Sequence, residues 1–375
     1  MTTRPPAEVG MALEEVDTPA LLVDLDAFEA NLEQMAQEVA AAGVRLRPHA
    51  KMHKCAVIGL KQMALGAVGL CCQKVSEAEA MVMGGVPDVL VSNQIVGAPK
   101  LKRLAALARE ARIGVCVDDA DNTDAVSEAA VDFGAELDVL IEIDVGMGRC
   151  GVEPDAPALA LARHIDRAPN LSFAGLQAYH GRAQHIREFG ERRATIEAAA
   201  EAAAHAKALI EGDGIECKTI TGAGTGTYRF EAASGVYDEL QAGSYAFMDG
   251  DYARNQDESG GPFQDYRHAL FVYATVMSCP TTERAVCDAG LKASSVDCGL
   301  PTVVEADLEA EYLGASDEHG LLGLQPSNRP PRIGDKIRLI PGHCDPTVNM
   351  YDWYVGVRGG RVEAVWPIAA RGALL

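Results

Sequence analysis

Hydrophobic runs alternate with segments of helical composition along the first two thirds of the chain. Segments such as SEAEAMVMGG and ATIEAAAEAAAHAKALI are rich in helix-forming residues and separate short apolar runs. The runs are VRLRP (44–48), AVGLCC (67–72), DVLVSN (88–93), RIGVCVD (112–118), LDVLIEIDV (137–145), LSFAGLQAY (171–179), CKTITGAG (217–224) and DELQAGS (238–244). Eight strands that alternate with helices predict a (β/α)8 barrel, with an open doubly wound sheet as the alternative.

The remaining apolar runs predict a second, smaller domain. PALLVDLDAF (19–28) precedes the eight runs and is expected to lie outside the barrel count. After Tyr252, an acidic and glycine-rich stretch leads to shorter runs such as LFVYATVMS, KIRLIPG and YVGVRGGRVEAVW, which are typical of strands. We therefore predict a barrel domain over residues 20–255 and a β-rich domain built from residues 1–19 and 265–375.

Composition narrows the classes of partner and location. The chain has 375 residues, which is long enough for a large α/β domain and a smaller one, and its net charge of −21 argues against nucleic acid or an anionic membrane as a partner. No apolar run is long enough to span a membrane, and MTTRPPAEVG lacks the apolar stretch of a signal peptide, so a cytoplasmic location is expected. The ten cysteines form no CxxC motif, which favours reduced thiols.

Polar residues follow the predicted strands at positions that would share one rim. Because a parallel barrel places the carboxyl ends of its strands together, side chains that follow the strands converge there. The first run leads into HAKMHK, which contains His49 and Lys51, and the third run ends near Gln94. The fifth, sixth and seventh runs lead into DVGMGRCGV, AYHGRAQH and TGAGTGTY. These loops form the candidate active site.

The loop TGAGTGTY (221–228) is a candidate phosphate site. Its glycines and threonines can bring backbone N–H groups and hydroxyls close to an anion, and many barrels bind phosphate after the seventh strand. An ordinary flexible turn is the alternative. A phosphate site opposite Lys51 fits pyridoxal phosphate that is bound to the lysine as a Schiff base. Burial and cationic neighbours such as Arg47 are expected to lower the pKa of this lysine. The alternative for Lys51 is a lysine at the protein surface.

Six motifs, in order over nearly the whole chain, resemble those of one enzyme group. RPHAKMHK, DVGMGRCGV, QAYHGRAQH, TGAGTGTY, DAGLKASSVDCGLP and PGHCDPTVN are similar to segments of the D-threonine aldolase and D-serine dehydratase group of fold-type III, alanine-racemase-like pyridoxal phosphate enzymes. The resemblance implies that Lys51 is the Schiff-base lysine, that Arg149 lies near the cofactor's phenolic oxygen, and that the protein is a homodimer. The other candidate cofactor-binding residues are Gln73, Tyr179, Gly222, Gly224, Thr225, Gly226 and Thr227.

The motif HCD (343–345) is a candidate metal site. On an extended segment alternate residues share a face, so His343 and Asp345 can bind one cation while Cys344 points away. By the resemblance, the dehydratase branch has a cysteine as second ligand, which suits zinc, whereas the aldolase branch has an aspartate, which suits Mn²⁺ or Mg²⁺. Cys344 as the ligand, or a simple strand-ending turn, are the alternatives.

The expected function is a pyridoxal phosphate- and divalent-metal-dependent aldolase. It would cleave a 3-hydroxy-D-amino acid, such as D-threonine or 3-hydroxyaspartate, to glycine and acetaldehyde or glyoxylate. His185 is the leading candidate for the catalytic base, ahead of Tyr179 and His180. The alternatives are a dehydratase of D-serine or 3-hydroxyaspartate that releases a keto acid and ammonia, and a non-catalytic pyridoxal phosphate-binding protein. The predicted second domain and His343 argue against the latter.

Arg182 is a candidate substrate-binding residue. It lies three residues before His185, so its guanidinium could bind the distal carboxylate of 3-hydroxyaspartate through paired hydrogen bonds. The alternative is a solvated loop residue. This hypothesis would favour glyoxylate as the released aldehyde.

Overall fold

The computed structural model of the chain describes residues 4–305, 308–325 and 330–375. The first nine strands are β1 (Ala20–Asp24), β2 (Arg45–Leu46), β3 (Leu70–Cys72), β4 (Asp88–Gln94), β5 (Arg112–Val117), β6 (Leu137–Glu142), β7 (Leu171–Ala178), β8 (Thr219–Gly222) and β9 (Glu239–Leu240). They are followed by β10 (Leu270–Thr281), β11 (Arg284–Cys287), β12 (Thr302–Val303), β13 (Ala310–Ala315), β14 (Gly320–Leu324), β15 (Lys336–Ile340), β16 (Trp353–Arg358) and β17 (Arg361–Pro367). The α-helices are α1 (Leu25–Ala42), α2 (Ala56–Ala64), α3 (Val75–Met83), α4 (Ala98–Leu107), α5 (Ala120–Phe133), α6 (Ala156–Arg167), α7 (Phe189–Gly212), α8 (Tyr228–Ala233) and α9 (Cys344–Val348).

Strands β2 to β9 form a closed parallel barrel. Their order is β2-β9-β8-β7-β6-β5-β4-β3, and a parallel bridge between His49 and Cys71 joins the two ends of this sheet. Backbone hydrogen bonds of 2.9 Å from Val68 to Leu46 and from Cys71 to the carbonyl of Pro48 complete the closure. All eight predicted strands are present, so the (β/α)8 barrel is confirmed and the open sheet is wrong.

Ion pairs close the amino-terminal end of the barrel. Side chains from alternate positions of four neighbouring strands fill the interior: Cys71, Leu90, Cys116 and Leu140. Beyond this layer, Arg47 lies 2.5 Å from Asp88 and 2.9 Å from Glu239, residues that begin β4 and β9. Arg47 therefore points away from the rim that carries Lys51, and the expectation that it lowers the pKa of that lysine is wrong.

Helix ends follow from local sequence. Asp24 accepts a hydrogen bond from the Ala27 amide at the start of α1, and Gly43 ends the helix in the left-handed conformation, with φ of 69°. Helix α5 has the same pair of signals, with Asp119 before it and Gly134 after it. These caps fix the helices that surround the barrel.

The second domain is a mixed sheet that contains the first strand of the chain. Within the described residues the sheet has nine strands in the order β13-β14-β11-β10-β1-β16-β17, with β15 paired to β10 and β12 paired to β15. Strand β1 pairs antiparallel with β10 and parallel with β16, so this run lies outside the barrel, as expected. The sheet thus includes residues that the predicted boundaries assign to the barrel domain. Of the predicted second domain, residues 1–3, 306–307 and 326–329 lie outside the described residues.

Aromatic side chains join the two domains beneath the loop that carries Lys51. The ring of Phe247 lies 5.9 Å from that of Phe28 on α1 and 5.4 Å from that of Tyr354 on β16. The hydroxyl of the buried Tyr354 donates a 2.7 Å hydrogen bond to the carbonyl of His53. The sheet of the second domain therefore supports the end of the loop after β2.

All ten cysteines are free thiols, in agreement with the expected absence of disulfides. No helix among residues 4–305, 308–325 and 330–375 combines the length and apolar character needed to cross a membrane. The second observation agrees with the absence of a long apolar run in the sequence.

Candidate active site

A cavity of about 300 Å³ opens at the carboxyl end of the barrel strands, facing the second domain. Most of the predicted site residues line it, and they come from both domains. These residues are Lys51, Gln73, Arg149, Tyr179, His185, Gly224, Thr225, His343 and Asp345. The volume lies at the lower end of the range typical of small-molecule sites.

Lys51 lies on a 3-10 turn, Ala50–Met52, directly after β2. Its Nζ lies 3.8 Å from Oδ2 of Asp345. Burial favours the neutral amine, but Asp345, with smaller contributions from Tyr179 and Glu77, raises the pKa of Lys51 above its ordinary value, so the expected lowering is wrong. The neighbouring Lys54 is buried and paired with Glu77 at 3.0 Å, which leaves Lys51 as the lysine that faces the cavity.

Arg149 and Tyr179 lie together on one wall. The guanidinium of Arg149 lies 5.7 Å from the ring centre of Tyr179, and its Nη2 lies 3.5 Å from Oε1 of the buried Glu142. The other oxygen of Glu142 accepts a 2.6 Å hydrogen bond from Gln94. Burial raises the pKa of Glu142, against the opposing effects of Gln94 and Arg149. This chain of contacts holds Arg149 at the cavity edge.

Gln73 lines the cavity beside the buried His49. Its amide nitrogen lies 2.9 Å from Nε2 of His49, a ring whose pKa is lowered well below its ordinary value by burial and by the nearby charge of Lys51. The ring is therefore neutral at physiological pH. His49 and Gln73 add hydrogen-bonding groups to the cavity without adding charge.

Three residues of the predicted phosphate loop line the cavity: Ala223, Gly224 and Thr225. In the described part of the chain, the backbone amides of Gly224 and Thr225 donate to no acceptor, and both residues border the cavity. The preceding Ala223 has φ of 71°, a left-handed conformation that turns the chain at this point. A side chain at Gly224 would overlap Oε1 of Gln184, which accepts the hydrogen bond from the Gly226 amide, so glycine preserves this contact. Unpaired amides at a tight turn fit a phosphate group.

The other predicted loop residues make protein contacts instead. Gly222 ends β8, and its carbonyl accepts from the Gln241 amide at 2.6 Å. The Gly226 amide donates to Gln184 at 3.0 Å. The hydroxyl of Thr227 donates to Glu231 at 2.8 Å. These three residues are not among those that line the cavity, and they fix the shape of the loop from behind.

His185 is held by a buried carboxylate. Its Nδ1 lies 2.6 Å from Oδ2 of Asp251, and its ring stacks on that of Tyr252 at 6.3 Å. Asp251 also accepts hydrogen bonds from Arg187, at 2.5 Å, and from Arg254. Burial opposes ionisation, but the hydrogen bonds from His185 and the two arginines lower the pKa of Asp251, so it is a carboxylate. The proton of neutral His185 therefore lies on Nδ1, which leaves Nε2 able to accept one.

The HCD motif is not extended, although two of its residues line the cavity as expected. His343 has β-region dihedrals and Cys344 begins α9, so Asp345 lies in the first turn of a helix and the expected geometry is wrong. Nε2 of His343 nevertheless lies 3.9 Å from Oδ1 of Asp345. Cys344 is buried, and its thiol donates to the carbonyl of Met248 at 3.4 Å. The helical turn therefore places His343 and Asp345 on the cavity side and directs Cys344 away from it, which is the arrangement that the extended segment was expected to give.

The surroundings of Asp345 fit a divalent cation. Its Oδ1 is buried and has no hydrogen-bond partner in the described residues, which is costly for an anionic oxygen. The carboxylate of Asp249 borders the same cavity, and that of Asp297 lies 2.8 Å from Nδ1 of His343. A carboxylate on Nδ1 leaves Nε2 free to bind a metal on the side of Asp345.

Several residues at this site were missed by the sequence analysis. Asp249, Asp251 and Tyr252 belong to the segment DGDY, where the barrel ends, and their only signal is the pair of acids after an apolar run. Asp297 lies in DAGLKASSVDCGLP, a motif used for the resemblance without a role for its acid. Their partners are distant in sequence, so no local spacing identifies them.

Two predicted residues lie away from the cavity lining. Arg182 begins the 3-10 turn Arg182–His185 with an exposed side chain and is not among the residues that line the cavity, so its role stays a prediction. His180 is buried, and its Nδ1 accepts a 3.2 Å hydrogen bond from Ala183, while burial lowers its pKa. This placement favours a structural role for His180.

Comparisons with known proteins agree with the fold. The family profile "Alanine racemase, N-terminal domain" matches residues 23–251, and "Putative serine dehydratase domain" matches residues 269–357. A D-threonine aldolase from Arthrobacter sp. is 52% identical over 98% of this chain and 96% of the relative. The chain belongs to this family of D-threonine aldolases with an alanine-racemase-like fold.

Other members of the family separate its two branches. A 3-hydroxy-D-aspartate aldolase from Paracoccus denitrificans (strain Pd 1222) is 47% identical over 98% of this chain and 95% of its own length. The crystal structure of a D-threonine aldolase from Filomicrobium marinum is 50% identical, covers 100% of both chains and has a TM-score of 0.96. A D-threo-3-hydroxyaspartate dehydratase from Delftia sp. (strain HT23) is only 27% identical, over 94% of this chain and 97% of its own.

Glu231, which holds Thr227 behind the phosphate loop, is expected to make stability depend on pH. Burial raises its pKa from 4.5 to about 7. The folded state thus favours the neutral acid, and this contribution is present below pH 4.5 and is lost as the pH rises to about 7. Glu231→Gln stays neutral, so the variant should gain about 3 kcal/mol of unfolding free energy relative to the native protein over that interval.

Urea denaturation across this pH range measures the difference. The exposed Glu216→Gln is the matched control, and its curve should parallel that of the native protein. A Glu231→Gln variant with the native pH dependence would contradict the assignment of a neutral Glu231.

Proposed function

We propose that the protein is a pyridoxal phosphate- and divalent-metal-dependent aldolase that cleaves a 3-hydroxy-D-amino acid to glycine and an aldehyde. One observation carries the proposal: His343 and Asp345, from the second domain, face Lys51 across one cavity of the barrel, with 3.8 Å between Nζ and the carboxylate. Aldolases at 52% and 47% identity support the reaction class. Their names point to D-threonine or 3-hydroxy-D-aspartate as substrate, with acetaldehyde or glyoxylate released.

The residues present fit both groups. Lys51 would hold the aldehyde carbon of pyridoxal phosphate, Gly224 and Thr225 its phosphate, and Arg149 the edge of its ring. When bound, pyridoxal phosphate withdraws electrons from the α-carbon of the substrate, and a divalent ion lowers the pKa of the substrate's β-hydroxyl. The oxygen of Asp345 suits Mn²⁺ or Mg²⁺ better than a soft ion.

His185 would accept the proton of the substrate β-hydroxyl at Nε2. Asp251 fixes the ring through the 2.6 Å hydrogen bond to Nδ1 and favours the protonated ring that forms. The wall beside the ring is Tyr252, so the imidazole cannot turn freely. A base held in one orientation lowers the entropic cost of the proton transfer.

A dehydratase of D-serine or 3-hydroxyaspartate is the second candidate. It needs the same cofactor, but the thiol of Cys344, the residue after His343 in the motif, is buried and hydrogen-bonded to the carbonyl of Met248, so it is not available as the second ligand. Incubation of the metal-loaded protein with D-threonine and with 3-hydroxy-D-aspartate tests the two. Glycine and an aldehyde support the aldolase, whereas a keto acid and ammonia would establish the dehydratase.

We also propose a homodimer in the cytoplasm. The resemblance to fold-type III enzymes supports the dimer, and ten free thiols support a reducing compartment. The molar mass in solution, measured by light scattering, tests the dimer.

Lys51→Ala is expected to abolish both turnover and the visible absorbance of lysine-bound pyridoxal phosphate. Lys51→Arg keeps the charge beside Asp345 but has no primary amine, so it should lose the absorbance as well. Absorption spectra with borohydride reduction and peptide mapping identify the attachment site. Retained absorbance with an adduct at Lys54 would overturn the assignment.

Chelation of divalent ions is expected to stop turnover and to leave the cofactor absorbance in place, because the attachment at Lys51 and the phosphate contacts of Gly224 and Thr225 include no metal ligand. Mn²⁺ or Mg²⁺ should then restore activity. Activity assays and spectra on the same sample separate the two effects. Restoration by zinc alone, with ammonia as product, would favour the dehydratase.

Arg182→Ala tests the predicted preference for 3-hydroxyaspartate. If the guanidinium binds the distal carboxylate, the variant should lose about ten- to a hundredfold in kcat/KM for 3-hydroxy-D-aspartate relative to D-threonine. Arg193→Ala, an exposed arginine on α7, is the matched control. Equal effects on both substrates would rule out this role.

A further inference from the structure

Asp297, Cys298 and His343 bring three different metal-binding atoms together next to the cavity; we refer to these residues as the DCH cluster. Nδ1 of His343 lies 2.8 Å from Oδ2 of Asp297 and 3.6 Å from Sγ of Cys298, and Sγ lies 3.5 Å from the same carboxylate oxygen. All three atoms face one another from two loops of the second domain. The cluster uses the ring nitrogen of His343 that points away from Asp345.

These separations resemble one face of a tetrahedral zinc site. With Zn–S of about 2.3 Å and Zn–N or Zn–O of about 2.0–2.1 Å, a tetrahedron has S–N and S–O edges of about 3.5 Å and an N–O edge of about 3.3 Å. The two observed sulfur edges, 3.6 and 3.5 Å, agree with these values. The 2.8 Å edge is shorter because a proton lies between Nδ1 and the carboxylate, and it must widen when a metal replaces that proton.

The donor set is softer than that of the proposed catalytic site. The DCH cluster contains a thiol, whereas His343 and Asp345 offer an imidazole and a carboxylate, and thiolate ligands select Zn²⁺ or Cd²⁺ over Mn²⁺ and Mg²⁺. The half-buried Cys298 can be reached by an ion. Binding would release the thiol proton of Cys298 and shift the ring proton of His343 from Nδ1 to Nε2.

We propose that the DCH cluster is a second metal site, selective for a soft divalent ion such as Zn²⁺, that competes with the catalytic ion for His343. A neutral imidazole has one lone pair for a metal, so an ion on Nδ1 puts the ring proton on Nε2 and removes the ligand that faces Asp345. Zinc is then an inhibitor that opposes Mn²⁺ or Mg²⁺. The inhibition rests on the proposed function, but the binding site does not.

Cadmium binding tests the site independently of activity. The pyridoxal phosphate-loaded protein, freed of divalent ions, is titrated with Cd²⁺, and ultraviolet absorption from thiolate-to-cadmium charge transfer is measured. One equivalent is expected, and Cys298→Ser should abolish the band. Cys279→Ser, which removes another half-buried thiol, and Asp345→Asn should both keep it. A band that survives Cys298→Ser, or that disappears with Asp345→Asn, would overturn the proposal.

Zinc inhibition tests the competition. Turnover supported by Mn²⁺ should fall as Zn²⁺ is added and recover with excess Mn²⁺, and Cys298→Ser should need at least about tenfold more Zn²⁺ for the same inhibition, since even outer-shell changes cost that much. If zinc inhibits native protein and Cys298→Ser equally, the competition is refuted. If no metal supports turnover, the proposed function fails while the cadmium titration still decides the site.

Discussion

A short pairing of backbone segments sets the distance between the two domains at the cavity. The amides of Gly250 and Asp251 each donate a 3.0 Å hydrogen bond, to the carbonyls of Pro341 and Gly342 respectively, and the Cys344 amide donates to Asp249 at 3.1 Å. A side chain at Gly342 would overlap the backbone of Gly299 in the same domain, so packing within the second domain requires glycine in the segment that makes this pairing. Without this pairing, the residues of the HCD motif would not face Lys51.

That distance also decides the charge state of the site. Asp345 has one oxygen 3.8 Å from Lys51 and another that is buried without a hydrogen-bond partner in the described residues. The first raises the pKa of the lysine, against the effect of burial, and the second is the oxygen that fits a cation. One carboxylate would therefore couple the protonation of Lys51 to the occupancy of the proposed metal site, because a cation on Asp345 would weaken its attraction for the ammonium group.

Features that depend on hydrophobic periodicity and chain order could be predicted from the sequence, whereas features that depend on contacts with distant residues could not. The eight barrel strands and the loops that follow them were predictable because apolar runs and turns are local signals. The raised pKa of Lys51 was not, since it depends on Asp345 from the other domain. Likewise, the left-handed turn at Ala223 and the contact with Gln184 determine which amides of TGAGTGTY face the cavity. Composition alone does not encode these contacts.

Asp251 links His185, the proposed base, to the segment that contains Asp297 through two arginines. Arg187, from the loop after β7, donates to its carboxylate and to its backbone carbonyl, while Arg254 donates to the same carboxylate and, at 2.7 Å, to the carbonyl of Cys298. His185 and the segment that contains Asp297 are thus anchored to one buried side chain. A displacement of the segment that contains Asp297 would strain these hydrogen bonds, so Asp251 holds the proposed base and the proposed cation site in a fixed relative position. The proposed reaction needs both groups at one hydroxyl, and the contacts of Asp251 meet that requirement.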